Sequence, residues 1–247
     1  MCESCGCGET NPHLHEHGHD HGHGHDHGHD HHHDHGHVIP VRSSALALNQ
    51  RLADQNCGWF RAKGWTVFNL LSSPGSGKTA LLERTLAAVP GSAALVGDLQ
   101  TERDADRLRA SGAPAVQIVT GETCHLDAHM VAHALEKLPA DGIRWLFIEN
   151  VGNLVCPASF DLGEKRRVVL LSVTEGEDKP LKYPVIFREA DLVLVTKTDL
   201  AAAVGFDREA ALANIRQVAP RATILELSSK TSTGLDAWYR WIAEQEG

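Results

Sequence analysis

Residues 72–79 read Ser-Ser-Pro-Gly-Ser-Gly-Lys-Thr, a glycine-rich loop that directly follows the apolar run 65–71. An apolar strand that runs into such a loop and then into a helix, here 80–89, places backbone N–H groups around phosphates. Lys78 would add a positive charge and Thr79 a hydroxyl for Mg²⁺. The loop therefore predicts binding of a nucleoside triphosphate. The expected contact residues are Gly75, Ser76, Gly77, Lys78, Thr79 and Ala80.

One position of this loop departs from the usual pattern. The first of its eight residues is ordinarily glycine, and it is Ser72 here. The chain turns out of the strand at this point, so a small residue is tolerable but less suited than glycine.

Two acidic residues follow predicted strands. Asp98 comes after Leu-Val-Gly, and Glu149 ends the strand predicted at 143–149. A carboxylate here can hold Mg²⁺ through water, and the N–H of Gly152 can reach a γ-phosphate. An acid at a strand end is also a common helix cap, but beside a phosphate loop the binding role is favoured. The candidate catalytic residues are Lys78, Thr79, Asp98 and Glu149.

Residues 196–199 read Thr-Lys-Thr-Asp after the apolar strand 192–195. The matching pattern in GTPases is Asn-Lys-x-Asp, whose Asp accepts hydrogen bonds from the N1–H and N2–H₂ of guanine. Asp199 is present and Thr196 replaces the Asn, so we expect GTP rather than ATP with one base contact in doubt. An ordinary turn is the alternative. Lys197, Asp199, Ser229 and Lys230 are the residues expected near the base.

Metal ligands are concentrated at the N-terminus. Cys2, Cys5 and Cys7 place three thiols within six residues, close enough to enclose one ion. Zinc is the general expectation for clustered thiolates, whereas a planar set of sulfur and nitrogen ligands would suit Ni²⁺.

A histidine tract follows these thiols. Residues 8–42 hold fourteen of the seventeen histidines, mostly alternating with Gly or Asp. Neutral imidazoles bind Ni²⁺, Zn²⁺, Cu²⁺ and Co²⁺, so the tract is expected to bind many ions with low selectivity. A purification tag is the alternative, but the irregular spacing and the position after the thiols argue against it.

A third group of metal ligands lies further along the chain. Cys124 and His125 begin a predicted helix at 124–138, and Cys156 follows Glu149 by seven residues. These three would form one site if the sheet brings their loops together. His129 and His133 follow His125 at four-residue spacing and could join this site or bind a second ion, unless they form an ordinary polar helix face.

Composition divides the chain into two parts. Residues 1–42 contain almost nothing to bury and are expected to be a disordered metal-binding tail, whereas 43–247 suit one globular domain. Seven acids and no Lys or Arg precede Arg42, which leaves −2 of the net charge of −9 for the rest. That charge balance argues against nucleic-acid binding. No apolar run is long enough to be expected to span a membrane. The cysteine usage suits a cytoplasmic protein.

Alternating apolar and amphipathic segments indicate a mainly parallel α/β sheet flanked by helices, the fold of a P-loop NTPase. An initial helix is predicted at 45–56. Strands are predicted at 65–71, 92–97, 115–119, 143–149, 168–173, 191–196 and 222–227, and further helices at 80–89, 101–110, 124–138, 207–218 and 235–244.

These motifs together resemble the HypB family of hydrogenase maturation GTPases, over nearly the whole chain. Besides the tail and the phosphate loop, the resembling stretches are Gly97–Thr101, Cys124–Ala128, Glu149–Pro157, Ser172–Pro180 and Lys182–Pro184. The resemblance implies a slow, dimerising GTPase with a nickel site at the N-terminal thiols. It also implies a nucleotide-sensitive metal site at Cys124, His125 and Cys156.

The resemblance further implies a nickel metallochaperone for [NiFe]-hydrogenase. Its implied partners are a second copy of the chain, the nickel–zinc maturation protein HypA and the hydrogenase large subunit. Two alternatives stay open at this point, a nickel or zinc store that depends on the tail and a urease-type nickel GTPase. Since Cys156 lies four residues after Gly152, loss of the γ-phosphate is expected to shift one metal ligand.

Overall fold

The computed structural model describes residues 41–98, 103–121, 123–139 and 141–246. In these ranges seven strands form one sheet. They are β1 (Thr66–Ser72), β2 (Ser92–Asp98), β3 (Ala115–Val119), β4 (Trp145–Glu149), β5 (Arg166–Ser172), β6 (Leu192–Thr196) and β7 (Thr223–Glu226).

Nine α-helices accompany the strands in the described ranges. They are α1 (Val41–Lys63), α2 (Lys78–Ala88), α3 (Arg103–Arg109), α4 (Ala128–Leu135), α5 (Lys179–Lys182), α6 (Pro184–Arg188), α7 (Ala201–Val204), α8 (Arg208–Val218) and α9 (Leu235–Ala243). Short 3₁₀ turns cover Cys156–Ser159, Val173–Glu175 and Thr198–Leu200.

The sheet is parallel throughout and has the order β3-β2-β4-β1-β5-β6-β7. Strand β1 therefore lies between β4 and β5, and all seven strands end at one edge. Ligands of open parallel sheets bind at this edge. The predicted α/β fold with a parallel sheet flanked by helices is confirmed.

Helices cover both faces of the sheet. On one face Phe68 of β1 stacks on Phe147 of β4, with 5.0 Å between ring centroids, and the fully buried Trp238 of α9 packs over them. On the other face Phe60 of α1 and Val131 of α4 lie in a second apolar cluster. Burial on both faces explains why the central strands are almost uninterrupted apolar runs.

Helix α1 is longer than the predicted 45–56, since it runs from Val41 to Lys63. Phe60 is 2% exposed and packs in the core, so burial carries the helix past Cys57 and Gly58. The chain turns only at Gly64, whose φ of 68° is one that glycine adopts without strain.

The prediction that Cys124 and His125 begin a helix is wrong. Helix α4 starts at Ala128, and Asp127 caps it by accepting a hydrogen bond from the N–H of Met130 at 2.8 Å. A carboxylate at this position satisfies a free helix N–H and so sets the start of the helix. Cys124 and His125 consequently lie in the preceding loop.

Other boundaries differ by one to three residues, as with β4, which begins at Trp145 instead of 143. The short helices α5, α6 and α7 were not predicted because they are too brief to show a helical period. Nowhere in the described part of the chain is a helix both long and apolar enough to cross a bilayer.

Candidate nucleotide and metal sites

The loop after β1 has the backbone of a phosphate-binding turn. Gly75 and Gly77 have φ of 73° and 97°, values that side chains with a Cβ adopt only with strain, and α2 starts at the next residue, Lys78. The loop borders a cavity of about 490 Å³. All six predicted contact residues line it, together with Asp98, Glu149 and Gly152.

Lys78 is held inside the loop. Its Nζ donates to Oγ of the fully buried Ser72 at 2.8 Å. Burial lowers the pKa of Lys78, while Glu149 and Glu175 act in the opposite direction. The serine that replaces glycine at the start of the loop thus supplies a hydrogen-bond acceptor to the loop's own lysine.

Thr79 and Glu149 meet at one end of this cavity. Thr79 Oγ1 donates to Glu149 Oε1 at 2.8 Å, and Glu149 Oε2 is buried without a hydrogen-bond partner among the described residues. Burial raises the pKa of Glu149 to about 7, against the lowering effects of Lys78 and of the Thr79 hydrogen bond. An unpaired buried oxygen beside a hydroxyl, with Asp98 on the same cavity, suits Mg²⁺.

A smaller cavity of about 270 Å³ adjoins the phosphate loop and shares Ser76, Gly77, Ala80 and Lys197 with the first. The four residues predicted near the base line it: Lys197, Asp199, Ser229 and Lys230. Asp199 accepts a hydrogen bond from Ser228 Oγ at 2.6 Å, which orients its carboxylate.

Thr196 lines this second cavity, and its side chain is hydrogen-bonded to the backbone of the phosphate loop. Its Oγ1 donates to the backbone oxygen of Ser76 at 2.8 Å, and Lys197 Nζ donates to that of Gly75 at 2.6 Å. The end of β6 is therefore tied to the phosphate loop although Thr stands where GTPases carry Asn.

Three charged residues near the phosphate loop were missed from the sequence. Ser76 Oγ donates to Glu175 Oε1 at 2.6 Å, and Asp104 and Arg107 of α3 line the cavity. Glu175 had a readable signal, since Ser172-x-x-Glu175 forms a capping box. Asp104 and Arg107 had none, because only the docking of α3 turns them toward the loop.

The three residues predicted for an inner metal site do come together. Ligand atoms of Cys124, His125 and Cys156 all lie within 4.8 Å of one another. The loop with Cys124 and His125 follows β3 and is anchored where the N–H of Ala128 donates to Asn49 Oδ1 of α1 at 2.9 Å. Cys156 begins the 3₁₀ turn after β4.

His125 is suited to bind a metal at neutral pH. The residue is 5% exposed, and its ring packs on Phe160, with 3.9 Å between ring centroids. Burial lowers the pKa of His125, partly opposed by Asp127, so the imidazole is neutral at pH 7. A neutral imidazole is the form that binds a metal, and thiolate–imidazole sets favour Zn²⁺ and Ni²⁺.

His129 and His133 lie outside this cluster. They share a face of α4 as predicted, with 4.7 Å between ring centroids, but both are exposed and neither belongs to the group of close ligand atoms. Cys2, Cys5, Cys7 and the histidine tract precede residue 41 and lie outside the described residues.

The profile of the family described as "CobW/HypB/UreG, nucleotide-binding domain" matches residues 66–226. That range contains every residue that lines the larger cavity, most of those that line the smaller one, and the Cys124–His125–Cys156 cluster. This chain belongs to the CobW/HypB/UreG family.

Within this family, the chain is similar to proteins named hydrogenase maturation factor HypB. The hydrogenase maturation factor HypB of Escherichia coli K12 is 51% identical over 211 residues, 84% of this chain and 73% of that protein. HypB of Azotobacter vinelandii is 51% identical over 213 residues, 85% of this chain and 70% of its own. The resemblance to HypB is therefore confirmed.

Two crystal structures share the fold of this HypB-family protein. HypB from Archaeoglobus fulgidus aligns with a TM-score of 0.76 and 44% identity over 81% of this chain and 100% of that one. HypB from Helicobacter pylori in complex with nickel aligns with a TM-score of 0.78 and 41% identity, over 81% and 95% respectively.

Proposed function

We propose that this protein is a GTP-hydrolysing nickel metallochaperone for [NiFe]-hydrogenase maturation. The observation that supports this most is the Cys124–His125–Cys156 cluster, whose ligand atoms lie within 4.8 Å of one another. Cys156 stands seven residues beyond Glu149, which lines the nucleotide cavity. The HypB relatives are named hydrogenase maturation factors, and one solved relative holds nickel.

The nucleotide side of the proposal assigns a task to each residue. Backbone N–H groups of residues 75–79 and the Lys78 ammonium bind the phosphates, and Asp199 accepts hydrogen bonds from guanine. Thr79, Asp98 and Glu149 would hold Mg²⁺, which neutralises phosphate charge. Water attacks the γ-phosphorus while the bond to the β-phosphate oxygen breaks, giving GDP and phosphate.

Nickel is the cargo in this proposal. Cys124, His125 and Cys156 bind it in the folded domain, and Cys2, Cys5 and Cys7 bind it in the N-terminal segment, where the histidine tract adds storage. Zn²⁺ suits the same thiolate sites and would compete with it. A second copy of the chain, a HypA-type nickel–zinc protein and the hydrogenase large subunit are the proposed partners, all in the cytoplasm.

Two experiments test this function together. GTP turnover and co-purified metal are measured on one sample of the full chain, with Lys78→Ala as the inactive comparison. Hydrogenase activity is then measured in a strain that lacks the gene and carries wild-type or Cys156→Ala protein, with and without added nickel. We expect slow turnover, bound nickel, and rescue by wild type but not by Cys156→Ala at low nickel.

A urease-directed role is separated from this one in the same strain. The Helicobacter pylori relative, 44% identical, is named a hydrogenase/urease maturation factor. Rescue of urease without hydrogenase would replace the hydrogenase proposal. Absence of GTP turnover in the full chain would contradict the proposed GTPase activity.

A further inference from the structure

The carboxamide of Asn153 lies between the two loops that carry the thiols. Its Nδ2 donates to the backbone oxygen of Cys124 at 3.3 Å, and its Oδ1 accepts from the N–H of Val155 at 2.8 Å. Val155 is the residue before Cys156. One side chain therefore holds both thiol-bearing segments at a set separation.

Asn150 makes a second, deeper connection between the same segments. It is 1% exposed, and its Oδ1 accepts from the N–H of Leu126 at 3.1 Å and from that of Val151 at 2.9 Å. Its Nδ2 donates to Asn69 Oδ1 of the central strand β1 at 3.3 Å. These bonds connect the loop beside His125 to the end of β4. Breaking them would leave buried polar groups without hydrogen-bond partners, which costs free energy.

Gly152, between the two asparagines, packs directly on the phosphate loop. A Cβ at this position would lie 2.8 Å from Cα of Pro74, closer than folded proteins allow. Segment 150–153 and the phosphate loop are thus in direct contact at Gly152, with no space for an added side-chain atom between them. A displacement of one is transmitted to the other, because close-packed atoms do not compress.

A similar contact exists on β2. Gly97 lines the nucleotide cavity, and a Cβ there would lie 2.8 Å from Cγ of Leu126. Leu126 is next to His125 in the chain. The loop with Cys124 and His125 therefore touches the nucleotide cavity through β2 as well as through segment 150–153.

We propose that Asn153 is the positioning residue that couples the nucleotide cavity to the Cys124–His125–Cys156 cluster. A shift of Gly152 on binding or loss of the γ-phosphate moves Asn153, whose two hydrogen bonds then move the Cys124 and Cys156 segments together. Asn153 binds neither nucleotide nor metal in this scheme. The inference rests on the proposed function, in which this cluster binds nickel.

Asn153→Asp is the decisive variant. Aspartate keeps the size of the side chain and the acceptor for the N–H of Val155, but it presents an oxygen instead of a donor to the carbonyl of Cys124. Asn214→Asp is the matched control, because Asn214 Nδ2 donates to the backbone oxygen of Glu177 at 2.9 Å and lines neither nucleotide cavity. Asn153→Ala serves as a second variant without added charge if the Asp variant does not fold.

The assay uses the full chain with free Ni²⁺ set by a chelating buffer, so that metal bound before residue 41 does not change the free concentration. Protection of Cys124 and Cys156 from alkylation is followed peptide by peptide in a mass spectrometer. Each protein is titrated with GDP present and again with a non-hydrolysable GTP analogue. This readout reports metal binding at the cluster and does not depend on turnover.

For the wild type we expect nickel midpoints in the two nucleotide states that differ by roughly fivefold or more, a usual size for coupling between sites. In Asn153→Asp the difference should fall below about twofold, and in Asn214→Asp it should persist. By linkage, nickel should change the GTP-analogue-to-GDP affinity ratio of each protein by the same factor, which is roughly fivefold or more for the wild type and below about twofold for Asn153→Asp.

Three results overturn the inference. An unchanged difference in the Asn153 variants would leave the proposed function standing without this coupling. Loss of nickel protection in both nucleotide states would show that Asn153 builds the site instead of coupling it. Wild-type thiols that nickel never protects would remove the proposed function, and the inference with it.

Discussion

The hydroxyl of Ser72 accepts a hydrogen bond from the ammonium of Lys78 at 2.8 Å, entirely within the protein interior. The residue that departs from the usual phosphate-loop pattern therefore supports the residue that the pattern requires. A hydrogen bond to a charged group contributes about 1.5–3 kcal/mol to stability. This contact gives the loop a preformed shape before nucleotide binds.

Replacing Ser72 with alanine should lower the free energy of unfolding of the ligand-free protein by about 1.5–3 kcal/mol, because the buried ammonium loses its acceptor. Urea denaturation measures this change. Ser92→Ala is the control, since Ser92 Oγ is also buried but has no hydrogen-bond partner in the described part of the chain. Equal losses in the two variants would show that the Lys78 contact contributes nothing.

The raised pKa of Glu149, about 7, makes the stability of the ligand-free protein depend on pH. Unfolded, this carboxyl has a pKa near 4.5, so between 4.5 and 7 the native state binds the extra proton. The free energy of unfolding should therefore fall as the pH rises through this window, by at most about 3 kcal/mol. Urea denaturation at pH 5 and pH 8 measures the fall.

The control for this prediction is Glu149→Gln, which does not titrate. The difference between wild type and variant isolates the contribution of Glu149 from that of other titrating groups. Wild-type and variant stabilities that change in parallel with pH would contradict a raised pKa at this position.

Asp199→Asn should exchange the base preference of the second cavity. Asparagine keeps one acceptor but presents an NH₂ where guanine also has donors, so GTP affinity should fall about tenfold to hundredfold. Xanthosine triphosphate carries an oxygen at that edge and should bind the variant better than GTP. Competition with a fluorescent nucleotide measures both, and wild-type protein that binds ATP as well as GTP would refute the assignment.

His129 and His133 should have little influence on the inner metal cluster. A double substitution to alanine is expected to leave nickel protection of Cys124 within about twofold of wild type, since both rings are exposed and outside the cluster. Cys156→Ala should weaken nickel protection of Cys124 by more than about tenfold. Loss of a group that only hydrogen-bonds to a metal ligand already lowers metal affinity by about tenfold or more, and Cys156 is itself a proposed ligand. Equal weakening by both changes would place the histidines in the coordination shell.

Gly152→Ala should lower GTP affinity by about tenfold, since the new methyl group would press on the backbone of Pro74 and displace the phosphate loop. Isothermal titration in the presence of Mg²⁺ measures the affinity. Gly58→Ala on α1 is the matched control, because a Cβ there meets nothing within 4 Å. Comparable affinity losses in the two variants would mean that the close contact is unimportant.

Much of the fold could be predicted from local pattern. The strands are buried on both faces and so read as apolar runs, and the phosphate loop has required glycines with positive φ at Gly75 and Gly77. Helix ends were less predictable, because α1 continues to Lys63 through the burial of Phe60, which depends on what packs against it.

The sequence shows two cysteines and a histidine that could bind a metal, but it does not show that they lie close together in space. Strand β2 lies between β3 and β4, so the loop with Cys124 must cross the end of β2 to reach Cys156. It does so where Gly97 has no side chain and Leu126 packs in its place. Only the order of the strands decided that these loops share one site.

The sequence by itself determined the chemistry of each segment, because strand burial, glycine turns and ligand types are properties of neighbouring residues. The tertiary structure decided how those segments act on one another. Thr196 donates to the backbone of the phosphate loop, and Asn153 donates to the backbone of the loop that carries Cys124. Each of these contacts joins backbone or side-chain atoms that come within hydrogen-bond distance only when the sheet is assembled, so no local pattern encodes them.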